Sequence, residues 1–159
     1  MSPSPSQRSG LHVRSFEILL VDDSYGDTLL MRQALASLQT STTVVIAEDG
    51  ERALQMLRRQ DQFASQSRPD IIFLDLNLPK LSGREVLAQI RGDSALKTIP
   101  VIVFSGSRAT ADIANSYALH ANAYIAKPAQ YQDLREVVAA IETFWFNTAL
   151  LQERARGVA

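Results

Sequence analysis

The sequence predicts an α/β fold: a five-stranded, doubly wound parallel sheet with helices on both faces and an extended C-terminal helix. Two observations support this prediction. Five short apolar runs alternate with segments of helical periodicity, and the connections between them are short. Alternation of this kind builds βαβ units with right-handed crossovers, and such units form a parallel sheet.

The strands are predicted from apolar runs bounded by polar residues. Three runs are nearly continuous, as expected of central strands that are covered on both faces. The run 43–47 is shorter and ends in Ala-Glu-Asp-Gly, which indicates an edge strand. In chain order the predicted strands are 16–21, 43–47, 70–75, 100–104 and 123–126.

The helices are predicted from apolar residues that recur on one arc of a helix. Leu134, Val138 and Ile141 show this spacing in the last helix, which continues to Trp145. The four earlier helices are predicted over 26–39, 51–59, 83–91 and 110–119.

Composition narrows the function classes. The 159 residues are 46% hydrophobic and 21% charged, with a net charge of −1, so neither nucleic acid nor an anionic membrane is an expected partner. The absence of cysteine excludes disulfides, thiolate metal sites and cysteine nucleophiles. No apolar run approaches the ~20 residues of a membrane span. A cytoplasmic protein is therefore expected.

The chain is predicted to hold one folded domain between two terminal segments. Residues 1–13 are rich in serine and proline and predict a disordered tail. Residues 14–142 contain all the predicted strands and form the domain. Residues 143–159 are predicted to extend the last helix.

Reactive side chains follow the carboxyl ends of four predicted strands. Asp22 and Asp23 follow the first strand, Asp75 ends the third, Ser105 follows the fourth and Lys127 follows the fifth. All parallel strands point the same way, so these residues share one edge of the sheet, where open α/β folds place their sites. The sequence therefore predicts a functional site at this edge.

The chemistry of these residues fits phosphoryl transfer. Carboxylates without a neighbouring histidine or cysteine suit a hard divalent cation such as Mg²⁺. An aspartate can attack phosphorus, Lys127 can neutralise charge on the transferred group, and the Ser105 hydroxyl can donate to a phosphoryl oxygen. Alternatively, Asp75 could be a helix cap or loop residue, and Asp22-Asp23 could cap a helix or form a structural ion pair with Lys127.

These motifs resemble the receiver domain of two-component response regulators. Their combination and order are specific, and they span most of residues 16–142. The resemblance implies a flavodoxin-like fold with strand order 2-1-3-4-5. The matching motifs are Val21-Asp22-Asp23, Leu74-Asp75-Leu76-Asn77-Leu78-Pro79, Gly83, Val103-Phe104-Ser105-Gly106 and Tyr124-Ile125-Ala126-Lys127-Pro128.

The resemblance assigns a role to each site residue. Asp75 would accept phosphate from the phosphohistidine of a histidine kinase. Asp23 and Asp75 would bind Mg²⁺ directly, Asp22 would assist through water, and the backbone carbonyl of Asn77 would complete the protein ligands. Lys127 would pair with the phosphoryl group. Enzyme activity is expected only as Mg²⁺-dependent self-phosphorylation and autodephosphorylation of the receiver aspartate.

The resemblance also implies a switch. Ser105 would move toward the phosphate, and Tyr124 would rotate inward behind it. The bond before Pro128 is expected to be cis. Two departures from the family pattern stand outside this chemistry: His120 lies where glycine usually ends a helix, and Ser82 replaces a commoner aspartate.

A narrower resemblance is to the small response regulators that partner bacterial and cyanobacterial phytochromes. The stretches 76–87 and 116–120 and the late pair Phe144-Trp145 carry it. It implies a bilin-containing, light-sensing histidine kinase as partner. For the partner, the alternative is a histidine kinase that is not a phytochrome. For the function, two alternatives stay open: a Mg²⁺-dependent, haloacid-dehalogenase-like phosphohydrolase, for which the Asp-x-Asp pattern and a cap are missing, and a phosphate-independent interaction module.

The C-terminal segment presents more apolar surface than one sheet can cover. Phe144, Trp145 and Phe146 spread around the last helix, and Leu150 and Leu151 follow. Exposed apolar patches commonly mark interfaces, so the five residues predict a homodimer. The alternative is that the aromatic residues fold back and close the bottom of the domain.

Overall fold

A five-stranded parallel sheet forms the centre of the computed structural model, which describes residues 15–153. The strand order is β2-β1-β3-β4-β5, as predicted. The two edge strands, β2 and β5, are largely half-buried, whereas every residue of β3 and β4 is buried. The strands are β1 (Phe16–Val21), β2 (Thr42–Ala47), β3 (Ile71–Leu74), β4 (Val101–Ser105) and β5 (Ala123–Ala126).

Five α-helices connect and follow the strands, and polar side chains fix where several of them begin. Ser24 caps α1 and Asp49 caps α2. Ser82 forms a capping box with Glu85 at the start of α3, so the serine at this departure from the family pattern starts the helix. The helices are α1 (Tyr25–Ala36), α2 (Gly50–Leu57), α3 (Gly83–Gly92), α4 (Thr110–Ala118) and α5 (Tyr131–Ile141).

Alternate residues of the central strands pack on opposite faces of the sheet. Leu19 and Leu74 belong to the core layer beneath α2 and α3. Leu20 and Phe73 belong to the layer beneath α1 and α5. Burial on both faces explains why the strands read as continuous apolar runs.

The last helix extends beyond α5 as a π-helical segment, Glu142–Thr148. This confirms an extended C-terminal helix, but the helix ends at Thr148, earlier than expected, because the backbone of Ala149 is extended. Residues 149–153 have no helix. The tail over 1–13 and the last residues, 154–159, lie outside the described range. Within that range no helix is long and apolar enough to cross a membrane.

His120 ends α4 in the left-handed conformation that usually favours glycine, with φ of 66°. Two backbone hydrogen bonds close this helix end as a Schellman motif: His120 N–H donates to the Tyr117 carbonyl, and Ala121 N–H donates to the Ser116 carbonyl. The Arg91 side chain donates to the His120 carbonyl at 2.9 Å. The chain therefore makes the expected turn without glycine.

Candidate functional site

The parallel sheet brings the predicted site residues to one edge. Val21, before Asp22, lies beside Leu74, before Asp75. At the other side of the site, Ser105 pairs in register with Ala126, the residue before Lys127. The residues that follow β1, β3, β4 and β5 therefore meet at a single place.

Lys127 joins the carboxylates of this site. Its Nζ donates to Asp22 Oδ2 at 2.7 Å, to Asp27 Oδ2 at 2.8 Å and to Asp75 Oδ2 at 2.8 Å. Asp22 and Asp75 are almost completely buried, with side chains 3% and 8% exposed. The alternative of a structural ion pair with Lys127 is therefore met by Asp22, and Lys127 also pairs with Asp75, the phosphoacceptor candidate.

Burial and hydrogen bonding shift the pKa values of Lys127 and Asp22 in this site. Burial alone would lower the pKa of Lys127, but its hydrogen bonds to the Asp22, Asp27 and Asp75 carboxylates raise the pKa well above its ordinary value. Lys127 is therefore a permanent cation. Burial raises the pKa of Asp22 from 3.8, and the hydrogen bond from Lys127 only partly offsets this rise. The negative charge of the buried Asp22 carboxylate therefore disfavours the folded state, even with Lys127 beside it.

The donor set fits a hard divalent cation. Oxygen atoms from Asp22, Asp23 and Asp75 lie within 4.8 Å of one another, and Asp23 is the exposed member. Carboxylate oxygens in a cluster of this size suit Mg²⁺, which keeps several of its waters. Asn77 is exposed and its N–H donates to Asp75 Oδ1 at 3.2 Å, so its backbone runs beside the cluster. Metal binding by its carbonyl stays a prediction.

Gly83 packs directly against the backbone of Asp75 and Leu76. A Cβ at this position would overlap the Asp75 carbonyl oxygen and lie 2.6 Å from the Leu76 Cα. Gly83 N–H donates to the Leu76 carbonyl at 2.9 Å. The first residue of α3 must therefore be glycine for the strand end that carries Asp75 to keep its position.

Ser105 and Tyr124 are connected through the loop after β4. Ser105 is fully buried, and its Oγ accepts from the Ser107 N–H at 3.2 Å. The Tyr124 hydroxyl donates to the Ser107 carbonyl at 2.7 Å, and the Tyr124 ring packs on the core beneath α2 and α3. The two residues predicted to switch are therefore linked by one loop residue, Ser107.

The cis bond predicted before Pro128 is wrong for this structure, because no peptide bond within residues 15–153 is cis. An X–Pro bond favours trans by ~0.5–1 kcal/mol, so trans needs no special support. The Lys127 N–H donates to the Ser105 carbonyl at 2.8 Å. This hydrogen bond holds the backbone of Lys127 beside the end of β4 with the trans bond in place.

The five C-terminal residues predicted at a dimer interface occupy different environments. Phe146 is buried and its ring stacks on Phe16 with centroids 4.4 Å apart. Trp145 is half-buried against the core layer beneath α1 and α5, to which Phe146 belongs. Leu151 is also half-buried. Phe144 and Leu150 are exposed. Phe146 and Trp145 therefore pack on the domain's own core, as the alternative to a dimer interface expected. Phe144 and Leu150 face outward.

Two residues at this edge escaped the sequence reasoning. Asp27, in the first turn of α1, was not among the predicted site residues, yet its carboxylate accepts a hydrogen bond from Lys127. Asp112, in the first turn of α4, pairs with Arg84 of α3 and accepts from the Ser107 hydroxyl. An acidic residue early in a helix after a reactive strand end was the available signal, but helix capping explains that signal equally well.

The sequence profile of the response regulator receiver domain matches residues 18–139. The chain belongs to this family. Receiver domains bind Mg²⁺ at their acidic pocket, and the carboxylate cluster of this receiver domain stands in that place. The fold, the order of the motifs and the sequence match agree.

The solved structures that this receiver domain resembles include response regulators of phytochromes. The receiver domain is 42% identical over 134 residues to the response regulator Rcp1 of Synechocystis sp., covering 84% of this chain and 91% of Rcp1. The phosphorylated cyanobacterial phytochrome response regulator RcpA superimposes with a TM-score of 0.84 at 46% identity, over 88% of this chain and all (100%) of RcpA. The Mn²⁺-bound form of Rcp1 gives 0.81 at 40% identity, over 87% and 99%.

Proposed function

We propose that this receiver domain accepts a phosphoryl group on Asp75 from the phosphohistidine of a histidine kinase and works in a two-component phosphorelay. The observation that carries the proposal is the 2.8 Å contact between Lys127 Nζ and Asp75 Oδ2 beside the acidic cluster. A buried carboxylate, a permanent cation and hard metal ligands are the parts that phosphoryl transfer needs.

The reaction follows from these positions. An Asp75 carboxylate oxygen forms the new bond to phosphorus while the bond from phosphorus to the histidine nitrogen breaks. The electron pair of the broken bond stays on the imidazole, which leaves. Lys127 then hydrogen-bonds a phosphoryl oxygen in place of the carboxylate oxygen. Hydrolysis by water would later restore Asp75, which is the only self-catalysed chemistry that we propose.

Asp23 and Asp75 would bind Mg²⁺ directly, with Asp22 assisting through water and the Asn77 carbonyl completing the protein ligands. When bound, Mg²⁺ neutralises charge on the phosphoryl oxygens as the bond to phosphorus is exchanged. Asp22 is held for this role by the Ser24 N–H, which donates to its Oδ1 at 2.9 Å. Burial raises the pKa of Asp22 because it disfavours the charged carboxylate. A cation bound beside Asp22 would stabilise that charge.

The proposed output is a change in surface near Ser105, Tyr124 and α4. If the Ser105 hydroxyl turns to a phosphoryl oxygen, it gives up the hydrogen bond from the Ser107 N–H. The Tyr124 hydroxyl donates to the carbonyl of the same residue, so a change at Ser105 would reach Tyr124 through the backbone of Ser107. Altered protein contact, without nucleic acid or membrane, would then carry the signal.

We propose a phytochrome kinase as the donor, because relatives of this chain are phytochrome response regulators. The exposed apolar side chains of Tyr25 and Leu29, on α1 beside the acidic cluster, offer a contact for the kinase. A cytoplasmic location follows from this role, because the kinase forms its phosphohistidine from ATP inside the cell.

Phosphotransfer from purified kinases tests the donor. A phytochrome kinase carrying labelled phosphohistidine is mixed with the protein, and the label on each is followed over seconds. A kinase of another sensory class serves as the control. Fast loss of label from the phytochrome kinase only is expected. Equal or faster transfer from the control kinase would contradict the phytochrome assignment and leave the receiver assignment intact.

We further propose that residues 143–159 act as a dimerisation arm on the domain formed by 14–142. The exposed Phe144 and Leu150 are its best-placed contacts, and the half-buried Trp145 and Leu151 lie at its border. Phe146 supports the arm from inside the core. Sedimentation of the wild type and of Phe144→Ala tests this proposal. We expect the wild type to dimerise and the loss of the exposed Phe144 ring to weaken the dimer. A monomeric wild type would contradict the proposal.

A further inference from the structure

A fourth carboxylate at the site, that of Asp27, has no role in the proposed reaction. Asp27 lies in the first turn of α1, and its N–H donates to the capping Ser24 hydroxyl at 3.3 Å. Its side chain is 47% exposed, whereas those of Asp22 and Asp75 are nearly inaccessible. Asp27 is therefore the solvent-accessible carboxylate partner of Lys127, whereas the other two partners are buried.

The ammonium of Lys127 has three N–H donors, and all three are used, by Asp22, Asp27 and Asp75. In the proposed reaction two of these acceptors change. Asp75 would become the acyl phosphate, and Asp22 would assist Mg²⁺ binding through water. Asp27 is the acceptor that neither event requires, because the described group able to hold a metal contains Asp22, Asp23 and Asp75 but not Asp27.

We infer that Asp27 is a positioning residue that keeps the Lys127 ammonium directed at the phosphoryl group while Asp22 and Asp75 change partners. This inference rests on the proposed function. Without Asp27, a flexible lysine stem loses its constant anchor just as its other two bonds are exchanged. A charged hydrogen bond to a fixed helix turn supplies that anchor at small cost in freedom.

Three variants and a matched control separate positioning from helix stability. Asp27→Ala removes the acceptor, Asp27→Asn keeps an acceptor oxygen without charge, and Asp27→Glu keeps the charge on a longer stem. Asp133→Ala is the control, since Asp133 occupies the same first-turn position of α5 and is exposed. A merely helix-stabilising acid would behave alike at both places.

The rate of phosphorylation by acetyl phosphate with Mg²⁺ is the first readout. We expect Asp27→Ala to slow phosphorylation about tenfold, equivalent to ~1.4 kcal/mol of barrier. Asp27→Asn and Asp27→Glu should recover the rate to within about threefold of the wild type, and Asp133→Ala should match the wild type. An Asp27→Ala rate equal to or above the wild-type rate would overturn the inference, and so would an Asp27→Asn rate as low as that of Asp27→Ala.

The Lys127 ammonium itself gives the second readout, which needs no phosphorylation. Its ¹⁵N signal in the metal-free protein is assigned by its loss in Lys127→Arg. Asp27→Ala should speed proton exchange with water and broaden this signal, while Asp133→Ala leaves it sharp. An unchanged signal in Asp27→Ala would overturn the inference. Failure of the wild type to take up phosphate would instead overturn the proposed function, with the anchoring still decided by this signal.

Discussion

At the scale of single residues, Asp22 shows how the site opposes the stability of the fold. Its carboxylate is buried, and burial raises its pKa despite the hydrogen bond from Lys127. The folded carboxyl therefore binds its proton more tightly than the unfolded one. Stability falls as the pH rises from about 3.8 through the raised folded pKa, and the full cost is present at neutral pH.

Asp22→Asn should therefore stabilise the metal-free protein at neutral pH, by of the order of 1 kcal/mol, a typical size for single substitutions. The gain should shrink as the pH falls through the raised pKa, because the wild-type carboxyl is then protonated. Denaturant unfolding with EDTA at several pH values measures this. A variant less stable than the wild type at pH 7 would show that the ion pair with Lys127 outweighs burial.

Gly83 makes an equally specific steric prediction. Gly83→Ala places a methyl group against the backbone of Asp75 and Leu76, which cannot move as a flexible side chain would. We expect a loss of about 2 kcal/mol or more in the free energy of unfolding. Gly92→Ala is the matched control, because its Cβ would meet nothing within 4 Å and alanine favours the helix by up to ~1 kcal/mol. Equal effects at the two glycines would contradict the proposed role of Gly83.

At the scale of elements, the end of α4 depends on a left-handed histidine. His120 is exposed, and the Arg91 contact is to its backbone carbonyl, so its side chain is not needed for the turn. His120→Gly should stabilise the protein by about 0.5–1 kcal/mol, because glycine relieves the positive φ. His120→Ala, which keeps that strain, should change stability by less than about 0.5 kcal/mol. Calorimetry on both variants decides, and a destabilised glycine variant would contradict the argument.

The C-terminal segment combines a core residue with surface residues. Phe146→Ala removes a ring that is 8% exposed and stacked on Phe16, and should cost about 3 kcal/mol. Phe144→Ala removes a ring that is 55% exposed and, at protein concentrations where the chain is monomeric, should cost less than about 0.5 kcal/mol. Urea unfolding compares them. Similar losses in both variants would show that the whole aromatic group closes the domain.

The sequence was informative for elements wherever one physical requirement dominated. Continuous apolar runs predicted β3 and β4 because both faces of these strands are buried. The helix end at Thr148 was missed because apolar periodicity continues to Leu151 and does not show where the backbone turns away. The inward orientation of Phe146, with Phe144 outward, depends on a π-helical turn that ordinary helical periodicity does not describe.

At the scale of the whole molecule, the parallel sheet explains why so much of the site was predictable. Parallel strands end at one edge, so residues distant in sequence, such as Asp22, Asp75 and Lys127, were expected to meet there. The hydrogen bond from Lys127 to Asp27 was not predictable in the same way. It depends on the rotation of α1 relative to the sheet, and Asp27 equally suits a plain first-turn acid.

Mass spectrometry can show whether Asp75 is the phosphoacceptor. The protein is incubated with acetyl phosphate and Mg²⁺, its intact mass is recorded, and the modified residue is located after borohydride reduction and peptide mapping. Asp75→Asn and a sample with EDTA are the controls. We expect one phosphoryl group, on Asp75, that both controls lack. A phosphoryl group on another residue, or undiminished labelling of Asp75→Asn, would contradict it.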